Sequence, residues 1–277
     1  MIIEKYFSID REVAQQLIEA TKEMKYEKTG DNAFQNTKVY FFDEYAVLQQ
    51  DNLNFRNVYT ADTDLNHLEN IAETLLRLQA QGVNVVPILA FQSDNGNGYI
   101  IQPRANGTEL YDRDKVRSLD KDYILERVKF LSNAPQEHFD KFVADTIKIM
   151  GAGLLIDFVG KDNFFYDEKI GVQFIDLLAH DDEWENGEPS ENEIAQWTAH
   201  FCFLPCYFDT VPQHGGSVTK ILIELTDKER AVLTENNKKI FEKCRNAMIN
   251  NGISEEIISK AIAGEKFIPQ KYQLELI

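Results

Sequence analysis

IDFVGKDNFFYDE, residues Ile156 to Glu168, is followed two residues later by GVQFIDL, Gly171 to Leu177. The pair reads as a polar loop and two short apolar strands split by a turn, because aromatic and β-branched residues cluster on either side of Asp167 to Gly171. Two carboxylates and one amide, Asp157, Asn163 and Asp176, are set around these runs. Singly, Asp176 is an ordinary strand-end acid and Asn163 an ordinary turn residue. Together they are a spaced set of hard oxygen ligands.

Composition narrows what such a set could serve. The chain has 277 residues and a formal net charge of −17, and 43% of its residues are hydrophobic. That is enough apolar material for one large domain or two lobes. The acidity argues against nucleic-acid binding through the bulk surface, which needs clustered Lys and Arg. No apolar run reaches membrane-spanning length, and MIIEKYFSID lacks the basic-then-apolar layout of a signal peptide. Three cysteines are too few for a disulfide scaffold in a chain of this length and fit a reducing compartment. A cytoplasmic protein is expected; an effector exported without a cleaved signal has the same composition.

Working back from the opening stretches, the first hundred residues read helix, hairpin, helix, hairpin. Asp10 caps a helix with an apolar stripe of Val13, Leu17, Ile18 and Met24. KTGDNAF reads as a turn-rich loop, then TKVYFF and YAVLQ as a hairpin across Asp43 and Glu44. Helical spacing returns from Asp64 to Gln81 through Leu65, Leu68, Ile71, Leu75, Leu76 and Leu78. VNVVPILAF and GYIIQP are two strands around SDNGNG. Beyond Pro103 the character is helical. A helix over 135–150 turns Phe139, Phe142, Val143 and Ile147 inward, and Ser190 with Glu193 and Thr226 with Glu229 form capping boxes. Gly252 is a helix stop and Ser254 the next N-cap. The expected division is 1–103, sheet-rich, and 104–277, mostly helical, with QPRANGTELYD as the hinge.

A small antiparallel sheet with an inserted helix, a hinge and a helical lobe resembles the protein-kinase-like fold, over most of residues 28–205. Within that superfamily the chain looks like a divergent member on the bacterial kinase-like or aminoglycoside-phosphotransferase-like side. The resemblance implies an α+β, two-lobe architecture. It places Asp157 as the catalytic base, and Asn163 and Asp176 as metal ligands. Glu73 takes the role of the ion-pair Glu on the inserted helix, and Ile101 lies near the gatekeeper. Gln102 to Arg104 offer backbone groups to an adenine, and Gly30 stands in the phosphate loop. Where the ATP-anchoring strand would present Lys, YAVLQQ offers Gln49, and Lys38 on the preceding strand is the candidate substitute. The implied cofactors are ATP and Mg²⁺, and the implied partners a nucleotide and a small-molecule or protein acceptor.

The chemistry accounts for those residue types. Mg²⁺ takes one or two carboxylates with phosphate oxygens, and a further carboxylate can orient and deprotonate an acceptor hydroxyl. The chain also departs from the family pattern. Five residues, FVGKD, separate Asp157 from Asn163 instead of four, Ile156 precedes the Asp, and Leu177 follows Asp176. Two functions therefore stand together: a Mg-ATP phosphotransferase, and a pseudokinase that binds or scaffolds. A nucleotidyl transferase of the same fold is the third. Glu73 also reads as an exposed helix carboxylate and Lys161 as a solvated turn lysine. Trp184 reads as the anchor of its own loop. His200, Cys202, Cys206 and His214 fit no zinc spacing and read as core packing. There is no G-x-S-x-G elbow and no Walker loop.

Overall fold

The computed structural model describes residues 3–26, 28–32, 35–50, 65–94, 97–110, 112, 115, 118, 120–156, 163–175, 177–179, 190–192, 194–195 and 225–264. Asp157, Lys161, Asp176, Trp184, Glu193 and the 200–214 segment lie outside them. The architecture is α+β, and it divides into two compact units. One is Met1–Asn106 with Leu177–Asp181, the other Gly107–Asp176 with Asp182–Ile277.

The first unit is a six-stranded sheet with two helices. Its strands are β1 (Ile3–Tyr6), β2 (Lys28–Asn32), β3 (Gln35–Phe41), β4 (Tyr45–Gln50), β5 (Ala90–Asp94) and β6 (Asn97–Pro103). They run β1-β5-β6-β4-β3-β2, every neighbouring pair antiparallel. Helix α1 (Arg11–Thr21) starts where the Asp10 carboxylate accepts from the Glu12 and Val13 amides, relieving two of the unpaired donors of a helix start. It buries Ala14 and Ile18 against Tyr40, Val47, Ala90, Tyr99 and Ile101. Val13 and Met24, expected on that stripe, are each 38% exposed. The sheet takes only the Ala14, Leu17, Ile18 side, and Met24 falls after the last turn. Helix α2 (Leu65–Ala80) buries Leu68, Ile71, Leu75 and Leu78 of the expected stripe and Ala72 besides, and leaves Leu76 half-buried.

Two sequence readings need correction. Lys28–Asn32, expected as part of a loop, is the edge strand β2, paired from Lys28↔Val39 to Asn32↔Gln35. A ladder is made of backbone bonds, so a neighbour as regular as β3 recruits a segment with poor strand propensity. In VNVVPILAF only Ala90 onward joins the sheet. Pro87 carries no N–H for a ladder, and Val83, Val85, Val86 and Ile88 are buried as apolar filling.

In the second unit, helices α3 (Lys121–Asn133) and α4 (Gln136–Gly151) meet at Ala134-Pro135, and α5 (Asp227–Asn250) packs across both. The corner is held by polar contacts. Ser132 Oγ donates to Asn236 Oδ1 at 2.7 Å, and Asn251 Nδ2 donates to the Asp140 carbonyl at 3.1 Å. Lys243 Nζ donates to the carbonyls of Ser132 and Ala134, where the negative end of α3 favours a cation. Burial, and then Lys239, lower the Lys243 pKa. Helix α6 (Glu255–Gly264) follows Gly252, which has φ +90°. A three-stranded sheet completes the unit: β7 (Thr108–Glu109), β8 (Phe164–Asp167) and β9 (Gly171–Phe174), with β8 in the middle.

Three glycines make this packing testable. Gly107 has φ +78°, and a Cβ there would stand 2.0 Å from the Tyr166 carbonyl oxygen. Gly82 and Gly153 share that φ with open space around them. In urea unfolding, Gly82→Ala and Gly153→Ala should cost about 1 kcal/mol of backbone strain, and Gly107→Ala about 3 kcal/mol or more. Equal losses at all three would mean that β7 does not approach β8 so closely.

The Thr226 capping box that opens α5 gives a pH test. Hydrogen bonds from the Thr226 side chain and backbone, and then from Lys121, hold the Glu229 carboxyl down at about 2. A carboxyl lowered on folding stabilises above its unfolded value near 4.5 and loses that contribution as pH falls through its folded value. Wild type should therefore lose stability between pH 4.5 and about 2 faster than Glu229→Gln. Parallel pH profiles would remove this pairing.

Candidate functional site

Those of the singled-out residues that the structure describes fall on two supports, one in each unit. The first is the six-stranded sheet, where the pleat decides which side chains share a face. Register lines up Lys38↔Gln49↔Tyr99 and, two residues on, Tyr40↔Val47↔Ile101↔Ala90. The second row belongs to the α1 core, so Lys38 and Gln49 lie on the α1 side. Gln49 Oε1 accepts from the Tyr40 hydroxyl at 2.9 Å on that same side.

The opposite face carries Val39↔Leu48↔Ile100↔Phe91↔Lys5 and Phe41↔Ala46↔Gln102. Lys5 Nζ reaches Glu69 of α2 at 2.9 Å, which puts α2 on this side. Glu73, one turn further along α2, is exposed. The structure therefore does not bring Lys38, Gln49 and Glu73 together: the two strand residues and the helix Glu are on opposite sides of the sheet. The β4 residue that shares the α2 side at this level is Leu48, half-buried between Val39 and Ile100.

The rest of this support is mostly committed to the sheet. Ile101 is fully buried in the α1 core. Gln102 is 6% exposed, paired with Ala46 on the α2 side. Arg104 is exposed, its guanidinium 5.0 Å from the centre of the Phe41 ring and its amide donating to the Glu44 carbonyl. Gly30 sits within the ladder opposite Thr37, and the register continues to Asn32↔Gln35. Only Ala33 and Phe34 remain to join the two strands.

The second support is the β8–β9 hairpin. Asn163 is 8% exposed, and its carbonyl accepts from the Ile175 amide at 3.0 Å, extending the Phe164↔Phe174 pairing by one residue. The amide side chain expected to hold metal is thus placed across from the residue that precedes Asp176. Aromatic packing fixes this end. Phe174 stacks on Phe142 of α4 at 5.4 Å and meets Phe164 edge-on at 5.7 Å. At the turn end, Tyr166 Oη and His138 Nδ1 are 2.7 Å apart, both residues buried. Burial, and then Glu168 and Asp167, push the Tyr166 phenol up to about 12. It keeps its proton at neutral pH, and the His138 tautomer sets which partner donates in that bond. Gly171, φ +80°, leaves room for the His138 ring, 3.1 Å from where a Cβ would stand.

Leu48 and His138 were missed in the sequence. Period-two alternation already put Gln49 with Val47 and Leu48 with Ala46; the helix covering each face was the missing fact. Among the described residues no group of three His, Cys, Asp or Glu side chains is placed to hold a metal ion, and no helix is long and apolar enough to cross a membrane.

Comparison with known proteins finds no matching family model and no matching curated protein. Solved structures do match. The chain is similar to the pseudokinase domain of BIR2, an immune regulator of the RLK/Pelle family, with TM-score 0.47 and 13% identity, covering 99% of this chain and 94% of that one. It is also similar to the bifunctional kinase-methyltransferase WbdD, with TM-score 0.39 and 11% identity, covering 88% of this chain and 52% of that one. The chain thus spans about half of WbdD. Neither likeness says what this chain binds.

The facing of β4 has a direct consequence for ligand titration. Lys38→Ala and Gln49→Ala should leave Mg-ATP binding unchanged within about twofold, since neither side chain shares a face with α2. Calorimetric titration measures this. A loss of tenfold or more in either variant would put the phosphates on the α1 side.

Proposed function

We propose that the chain is a protein-kinase-like binding or scaffolding module that does not transfer phosphate. The observation that carries this reading is Leu48: on the strand that would anchor ATP, the α2 side presents an isobutyl group between Val39 and Ile100. A leucine supplies neither charge nor donor to a polyphosphate. On that side Lys5 is paired with Glu69, Arg104 rests on Phe41 beyond the end of β6, and Lys28 falls in the same row at the sheet edge, opposite Val39 and one strand away from Leu48. The β2–β3 ladder, with Gly30 in register and a two-residue connection, also lacks a glycine-rich stretch in which backbone amides could cradle phosphates. A net charge of −17 suits a basic protein segment or a cationic small molecule as the bound partner.

A second reading, a Mg-ATP phosphotransferase, is favoured by one observation. Asn163 is buried at the end of a hairpin, opposite Ile175, the residue that precedes Asp176 in the sequence. An amide oxygen and a carboxylate are hard donors that fit Mg²⁺, which when bound would neutralise phosphate charge. In this reading Asn163 and Asp176 hold the metal and Asp157 orients the acceptor hydroxyl.

Melting the protein with ATP, with and without Mg²⁺, and following γ-labelled phosphate into product separates the two. The module reading expects no product above background. Leu48→Lys should raise Mg-ATP affinity by about tenfold or more, the worth of one charge-assisted hydrogen bond, while Gln49→Lys should not. Labelled product from the wild-type chain would overturn the module reading. The phosphotransferase reading then expects Asp176→Ala to abolish turnover and its Mg²⁺ dependence. It expects Asp157→Ala to keep nucleotide binding and slow turnover by about two to four orders of magnitude.

A further inference from the structure

We draw no further inference here: the strongest candidate, the half-buried apolar strip of Val39, Phe41 and Leu48 on the α2 side of the six-stranded sheet, belongs to the face already described, and nothing in the structure shows what covers it.

Discussion

Strand β4 is paired on both sides, to β3 from Ala46 to Gln50 and to β6 from Tyr45 to Gln50. A strand held from two directions cannot slip by one residue without turning every side chain to the wrong face. Val47, with no exposure at all, anchors one face under α1. Its neighbours Ala46 and Leu48 are then committed to the other. Helix placement, the position of Gln49 and the apolar character of the α2 side all follow from that alternation.

Much of the fold was legible because several signals are local. Asp10 and Thr226 cap helices through bonds to amides two or three residues away, and the α2 stripe repeats at a spacing only a helix can use. Strand β2 was hidden for the opposite reason: Lys28–Asn32 becomes a strand through its partner rather than its own residues. Val13 was misplaced because a stripe says which residues are apolar, and the breadth of the covering sheet says how many of them are used. The pairing of Asn163 with Ile175 was half legible, in that the two runs around a turn were clear while their register was not.

The two supports also differ in how they are stiffened. The sheet gains rigidity from parallel rows of backbone bonds, so single side chains on its surface are free to vary in chemistry. The β8–β9 hairpin is four residues a side and cannot rely on its own ladder. It borrows rigidity from α4 through the Phe142–Phe174 stack and the His138–Tyr166 bond. A short hairpin stiffened in this way suits residues that must be held still, as Asn163 would need to be in order to hold a metal.

The clasp between α5 and the α3–α4 corner joins residues far apart in the chain. Ser132 and Asn236 are 104 positions apart, and Lys243 and Ser132 are 111 apart. Strands β1 to β6, by contrast, all lie before residue 104. On a ribosome the sheet can therefore assemble while the helical unit still waits for its clasp. Until α5 has emerged, the polar groups at the end of α3 and the surfaces of α3 and α4 that α5 covers have only solvent or a chaperone to meet. The order of synthesis makes the helical unit the late, aggregation-sensitive half of the molecule.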